Sequence, residues 1–155
     1  MKINSWNCFT HSCFSEQYNE LVEKVKLLKE KHPTTFQKKS ATKLLFAIQK
    51  LIFEVIPTNP ALPSYRHGGT AGINRHWFRA KFFKGRFRLF FRYDHKSKTI
   101  IYGWVNDEST LRTYGSKSDA YSVFKKMLVD GTPPDAWDDL KRQSVDVSEL
   151  IEDRD

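Results

Sequence analysis

The segment Trp77–Tyr93 places the tightest limit on what this chain can become. Phe78, Ala80 and Phe82 alternate with Arg79 and Lys81; beyond Lys84-Gly85 the pattern resumes, with Phe87, Leu89 and Phe91 alternating with Arg88, Phe90 and Arg92. Period-two patterning is the mark of a strand, and Lys84-Gly85 supplies a two-residue turn with glycine at positive φ. That turn pairs Phe78 with Phe91, Ala80 with Leu89 and Phe82 with Phe87 on one apolar face. The opposite face pairs Trp77 with Arg92, Arg79 with Phe90, Lys81 with Arg88 and Phe83 with Arg86. A slip of one residue would bury several arginines, so burial cost sets the register. The pattern predicts an antiparallel sheet with its apolar face over helices and a cationic, aromatic face toward solvent.

The helices come from the flanks. Phe14, Tyr18, Leu21, Val22, Val25 and Leu28 recur at helical spacing after Ser12 or Ser15 and stop before His32-Pro33. A second helical pattern runs from Ala41 through Leu45, Ile48 and Ile52 to Val55 and ends at Pro57, with Lys38, Lys39, Lys43 and Lys50 on its polar side. Pro57, Pro60, Pro63, Gly68, Gly69 and Gly72 make a connector in which Tyr65-Arg66-His67 is the one chemically equipped island. Thr99–Val105 reads as a third strand after the turn Asp94–Lys98. A five-residue loop there sets Trp104 opposite Arg88 and Tyr102 opposite Phe90; a four-residue loop reverses the faces. A third helix carries Ala120, Tyr121, Phe124, Met127 and Leu128, capped by Ser118 and ended by Gly131. Trp137 and Leu140 suggest one more docked segment.

The fold class is therefore α+β, N-terminal helices packed on an antiparallel sheet with a C-terminal helix. At 155 residues the chain matches one domain of about 100–150 residues, expected over 1–140 with an acidic tail over 141–155. Charge follows the same division: residues 1–129 carry 23 basic and 9 acidic side chains, residues 130–155 carry 3 and 9. Between 75 and 98 nine cations face the single acid Asp94, interleaved with aromatics, and a polyanion is the natural partner.

Several classes are excluded. The longest apolar runs, Leu44–Ile48 and Ile100–Val105, are far short of the roughly 20 residues a membrane helix needs. The N-terminus shows no apolar signal region, so the expected compartment is the cytoplasm. Cys8, His11 and Cys13 are too few for a structural zinc site and read as reduced thiols; no metal or other cofactor is expected. A two-metal nuclease needs clustered carboxylates, and from 55 to 129 only Asp94, Asp107, Glu108 and Asp119 are present. Phosphate-binding loops, dinucleotide fingerprints and nucleophile elbows are missing.

One resemblance is specific. The run Gly85-Arg86-Phe87-Arg88-Leu89-Phe90-Phe91-Arg92-Tyr93, followed by Gly103-Trp104-Val105-Asn106-Asp107-Glu108 and Thr110-Leu111-Arg112-Thr113-Tyr114-Gly115, resembles the YhaV-type branch of the RelE-like toxins. The likeness extends from about Trp6 to Trp137 and takes in His11-x-Cys13-Phe14, Ala41-Thr42-Lys43-Leu44-Leu45, Arg66-His67-Gly68 and Asp119-Ala120-Tyr121. It implies a RelE-like fold and a type II toxin–antitoxin ribonuclease that cuts mRNA, commonly on the ribosome. It also implies a PrlF-like (AbrB-type) antitoxin that neutralises the toxin and with it binds operator DNA to repress their own operon. Carried over residue by residue, the family's strand cations fall on Arg79, Lys81 and Arg88 and its tyrosine on Tyr114. A further family arginine has Glu108 at its spacing, and Arg112 is the substitute.

Metal-free RNA cleavage needs the 2′-hydroxyl deprotonated, the phosphorane's charge stabilised and the 5′-oxygen protonated. Arg88 is assigned to the phosphorane, since a guanidinium fork matches phosphate oxygens. Lys81, with Arg79 and Arg88 nearby, is a base or electrostatic helper. Tyr114 is either an acid/base or a stacking platform for a base. Arg86, Arg92, Lys84, His67 and Trp104 are candidate RNA contacts, His67 also a secondary acid. The alternative from another class is a non-catalytic nucleic-acid-binding regulator, in which the same cations are passive phosphate contacts. An antitoxin segment with acidic or apolar groups is expected to cover the Arg79/Lys81/Arg88 face, and the acidic segment 130–155 to compete with RNA for it.

Overall fold

A computed structural model of the chain describes residues 1–66, 76–107 and 119–150. It opens with a short hairpin, β1 (Lys2–Ile3) and β2 (Trp6–His11), turned by Asn4 and Ser5 at positive φ. β2 feeds α1 (Ser12–Lys31), capped by His11, whose Nδ1 accepts from the Cys13 N–H at 3.1 Å. With Nδ1 an acceptor, the ring proton lies on Nε2, which donates to Oε1 of Gln143 at 2.9 Å. α1 buries Phe14, Tyr18, Val22 and Val25 at the predicted spacing.

α2 (Ser40–Lys50) buries Ala41, Leu45 and Ile48. It continues through a π-helical stretch, Leu51–Val55, into α3 (Ile56–Thr58), so the helical path outlasts Pro57, which sits in the first turn of α3 where its missing N–H is tolerated.

The expected hairpin forms from β3 (Phe78–Phe82) and β4 (Phe87–Asp94), and every pair from Phe78/Phe91 to Phe82/Phe87 is in the predicted register. The turn is longer than expected. Phe83 and Arg86 leave the ladder, and Phe83, Lys84 and Gly85 all take positive φ (50°, 58° and 78°). β5 (Thr99–Val105) follows the four-residue alternative, with Asp94 opposite Thr99. That register holds as far as Tyr102 opposite Phe91; an irregularity between Phe90 and Phe91 then restores the other parity, placing Trp104 opposite Phe90 and Val105 opposite Leu89.

The remaining elements are α4 (Ala120–Val129), α5 (Trp137–Arg142) and β6 (Ser144–Asp146). Asp119 caps α4 by accepting from the Tyr121 N–H at 3.1 Å; the expected cap, Ser118, lies outside the described residues. The sheet order is β1-β2-β5-β4-β3 with β6 on β2. One pairing corrects the expectation of a wholly antiparallel sheet: β2 runs parallel to β5, and β2 was not foreseen as a strand.

The fold is α+β, with the N-terminal helices on one face of the sheet and a C-terminal helix on the other. Phe78, Ala80, Leu89 and Phe91 face α1 and α2 as predicted, and Tyr102 joins them. The opposite face differs from expectation: Trp77, Phe90, Ile101 and Trp104 are roofed by Tyr121, Phe124, Leu128 and Leu140 of α4 and α5, making a second core where solvent was expected. The acidic segment beyond 140 also packs. β6 extends the sheet, Val147 and Leu150 are buried in the first core, and Asp146 pairs with the Met1 ammonium. Packing therefore runs past residue 140 to Leu150, along the β2 edge rather than over β3. Among the described residues no helix is long and apolar enough to cross a membrane.

Candidate functional site

The register of β3 and β4 puts Lys81 opposite Arg88, with Arg79 two residues along on the same face. α4 completes the cluster. Its first turn delivers Tyr121, whose hydroxyl oxygen accepts from Nε of Arg79 at 2.6 Å and from Nε of Arg88 at 3.1 Å. Each guanidinium is also held by a carbonyl: Nη1 of Arg79 donates to Ser64 at 2.9 Å, and Nη1 of Arg88 donates to Gly85 in the turn. The Arg88 guanidinium lies 5.4 Å from the Tyr121 ring centre.

Arg79 and Arg88 are 7% and 5% exposed, and none of the ion pairs among the described residues involves either. Burying two like charges without a counter-ion is costly. Neutral oxygens satisfy part of each fork, and no carboxylate among the described residues compensates the charge, which suits the pair to an anionic ligand. In each fork Nε and one Nη1 N–H are engaged by these oxygens.

The strand end that carries Arg88 is clamped. Oδ1 of the buried Asn106 accepts from the Arg88 backbone N–H at 2.6 Å, and Nδ2 of Asn106 donates to the Arg86 carbonyl at 3.0 Å. Asn106 thus continues the β4–β5 pairing beyond the last strand residue. Neither Tyr121 nor Asn106 was a candidate from sequence; the available signal was their presence in the two resembling motifs, Asp119-Ala120-Tyr121 and Val105-Asn106-Asp107.

The other candidates divide. Lys81, Lys84 and Arg86 are exposed on and beside the hairpin turn. Arg92 is sequestered: its guanidinium lies 5.8 Å from the Trp77 ring and 5.3 Å from the Trp137 ring, and Nη1 donates to the Asp135 carbonyl. Burial lowers its pKa, opposed by the nearby Asp135 carboxylate. Trp104 is 8% exposed and stacks 5.7 Å from Phe124 at an interplanar angle of 5°. Both residues are core elements under the C-terminal helices, not open surfaces for RNA. His67, Arg112 and Tyr114 lie outside the described residues. Among the described residues no three His, Cys, Asp or Glu side chains form a metal-ligand group.

A family model described as a toxin with endonuclease activity, of a toxin–antitoxin system, matches residues 8–145. The chain belongs to the YhaV toxin family. It is 52% identical over 145 residues to the ribonuclease toxin YhaV of Escherichia coli strain K12, covering 92% of this chain and 94% of that one. The toxin YhaV of Escherichia coli O157:H7 shows the same identity and coverage. That of Escherichia coli O6:H1 is 51% identical over the same shares. No solved structure matches the chain. The family match spans every element that builds the arginine pair, from β3 through α4, so the cluster lies inside the YhaV domain.

Proposed function

We propose that this chain is a type II ribonuclease toxin that cuts mRNA without a metal ion, using the Arg79–Arg88 pair to hold the scissile phosphate. The observation that carries the proposal is the pair of buried guanidiniums with no carboxylate partner among the described residues, aligned by one phenol oxygen. The 2′-oxygen attacks phosphorus, the P–O5′ bond breaks, a 2′,3′-cyclic phosphate forms and a proton passes to the leaving 5′-oxygen. Arg79 and Arg88 stabilise the charge that builds on the non-bridging oxygens, an effect worth about 10²–10³ in rate for one preorganised donor. Lys81, opposite Arg88, serves as base or as a further cation. Tyr114, with Arg112, completes the acid/base chemistry or stacks the base; Lys84 and Arg86 contact the RNA backbone beside the turn, and His67 is a further RNA contact.

The name of the Escherichia coli K12 relative, a ribonuclease toxin, supports RNA as the substrate. The rest of the reading follows the family resemblance: action on the ribosome in the cytoplasm, neutralisation by a PrlF-like antitoxin, and joint repression of their operon. The test is cleavage of end-labelled mRNA in EDTA, with and without translating ribosomes, comparing wild type with Arg88→Ala. Cutting by wild type only, leaving a cyclic phosphate, is the expected result. Cutting only with ribosomes makes the ribosome part of the active site. RNA binding with no cutting in either setting overturns the reading in favour of a non-catalytic nucleic-acid-binding module.

A further inference from the structure

The face expected to receive an inhibitor is roofed by the chain's own α4, so apolar contact with a partner must come from elsewhere. The other side of the sheet offers it. Between α1, α2 and the end of β5 lies a cavity of about 470 Å³ walled by Phe14, Tyr18, Leu21, Leu44, Ile48 and Val105. A second cavity, of about 300 Å³, shares Leu21, Lys24 and Leu44 with the first and runs on to Phe83 and Phe87 at the hairpin. The two form one apolar trough from β5 to the turn that precedes Arg88.

Charge distinguishes the ends. Glu20 and Asp107 stand at the β5 end, Lys24 lines both cavities, and the hairpin end adds Lys43 and Arg86 and, among the described residues, no carboxylate. At its rim Phe83 is 41% exposed with φ of 50°, a conformation bulky residues rarely adopt. An exposed aromatic held at strain beside an apolar trough and three cations is the profile of an anchoring site for a protein segment.

We propose that this trough is the docking site of the antitoxin, and that its occupant is an amphipathic helix whose apolar face fills the trough and whose acidic residues meet Lys24, Lys43 and Arg86. The inference rests on the toxin–antitoxin reading above and adds the surface and the chemistry of the segment. Charge complementarity selects an acidic occupant, and an apolar floor edged by cations is the chemistry of helix-in-groove recognition. An occupant at the hairpin end sits against the turn whose Gly85 carbonyl braces Arg88, so it acts on the catalytic strand while bound to the opposite face.

The test uses the full chain co-produced with a PrlF-like antitoxin. Lys24→Glu/Lys43→Glu is compared with Lys125→Glu/Lys126→Glu, an equal charge change on the exposed side of α4. Only the first is expected to weaken antitoxin binding, by at least about tenfold, and to restore growth arrest in the presence of antitoxin. RNA cleavage without antitoxin stays equal in the two variants. A photo-crosslinking benzoylphenylalanine in place of Phe83 is expected to capture the antitoxin. Equal neutralisation of both variants, with no crosslink at 83, overturns the proposal while leaving the toxin reading intact. A crosslink to a second copy of this chain, or a loss of RNA affinity confined to the first variant, also overturns it. Failure of the PrlF-like protein to neutralise wild type removes the named occupant, while wild-type cleavage reports separately on the ribonuclease reading.

Discussion

The hydroxyl of Tyr102 donates to the carbonyl oxygen of Ile52 at 3.0 Å, and the backbone explains why that carbonyl needs a donor. In the π-helical stretch the N–H of Ile56 bonds to the carbonyl of Leu51, five residues back. The next bond in that ladder would join residue 57 to Ile52, and residue 57 is proline, with no N–H to give. A strand tyrosine thus replaces the missing helix donor and ties α2 to the middle of β5. Tyr102→Phe leaves a buried carbonyl unpaired, and the expected loss is about 1–3 kcal/mol of stability, read as a lower urea midpoint at unchanged m-value.

Gly103 is required by a neighbour. A β-carbon there would stand 2.6 Å from Cζ3 and 2.8 Å from Cη2 of Trp77. The indole cannot swing away, because it is fully buried, its Nε1 donates to Asp135 at 2.9 Å and its ring packs edge-on against Phe124 at 5.0 Å. Gly103→Ala is therefore expected to destabilise by about 1–3 kcal/mol, the usual cost of overpacking. Pairing it with Trp77→Phe should recover part of the loss in the same urea titration.

How much of this was legible in the sequence depends on whether the deciding contact was local. The β3–β4 register was readable because any slip buries arginines, and α1 because its apolar stripe is long and regular. β2 was not: Trp6–His11 is short and mixed in polarity, and the parallel partner that makes it a strand is β5, some ninety residues later. The face carrying Arg79, Arg88 and Arg92 read as solvent-exposed because arginines usually are. It is buried because Tyr121, Ser64 and Asp135 supply acceptors from distant parts of the chain. Tyr121 itself was hidden by its spacing, since an aromatic among Phe124 and Leu128 reads as helix core, which its ring is. Val147 and Leu150 were isolated apolar residues in an acidic run, with no period to announce that they join the core.

The two thiols differ in burial, and chemistry should report it. Burial pushes Cys8 up from 9.0 to about 11, against the opposing pull of the N-terminal ammonium. Burial also raises Cys13, with Glu16 adding to it. Because the folded protein holds the Cys8 proton more tightly than the unfolded chain, the stabilisation linked to it is complete below pH 9 and is lost as pH rises from 9 to 11. At pH 8 a thiol-reactive disulfide reagent should label native Cys8 negligibly and half-buried Cys13 slowly, with both labelled rapidly in urea. Fast native labelling of Cys8 would contradict its place in the core. Cys8→Ala should flatten the fall in the urea midpoint between pH 9 and 11.

Tyr121 offers the sharpest kinetic prediction, because its hydroxyl serves two arginines at once. Tyr121→Phe keeps a ring to pack edge-on against Phe90, 5.5 Å away, and removes the hydroxyl that accepts from both Nε groups. As a positioning residue, Tyr121 should govern cleavage rate more than RNA affinity: about a 10–100-fold fall in single-turnover rate with little change in RNA affinity, against about 10²–10³ for Arg88→Ala. A double-mutant cycle separates this from a general loss of packing. If the hydroxyl acts through Arg88, adding Tyr121→Phe to Arg88→Ala costs almost nothing further. If the two losses multiply, Tyr121 acts on its own. Arg88→Lys sharpens the comparison, since a lysine has no Nε–H to be aligned by the phenol and should fall nearer to Arg88→Ala than to wild type despite its retained charge.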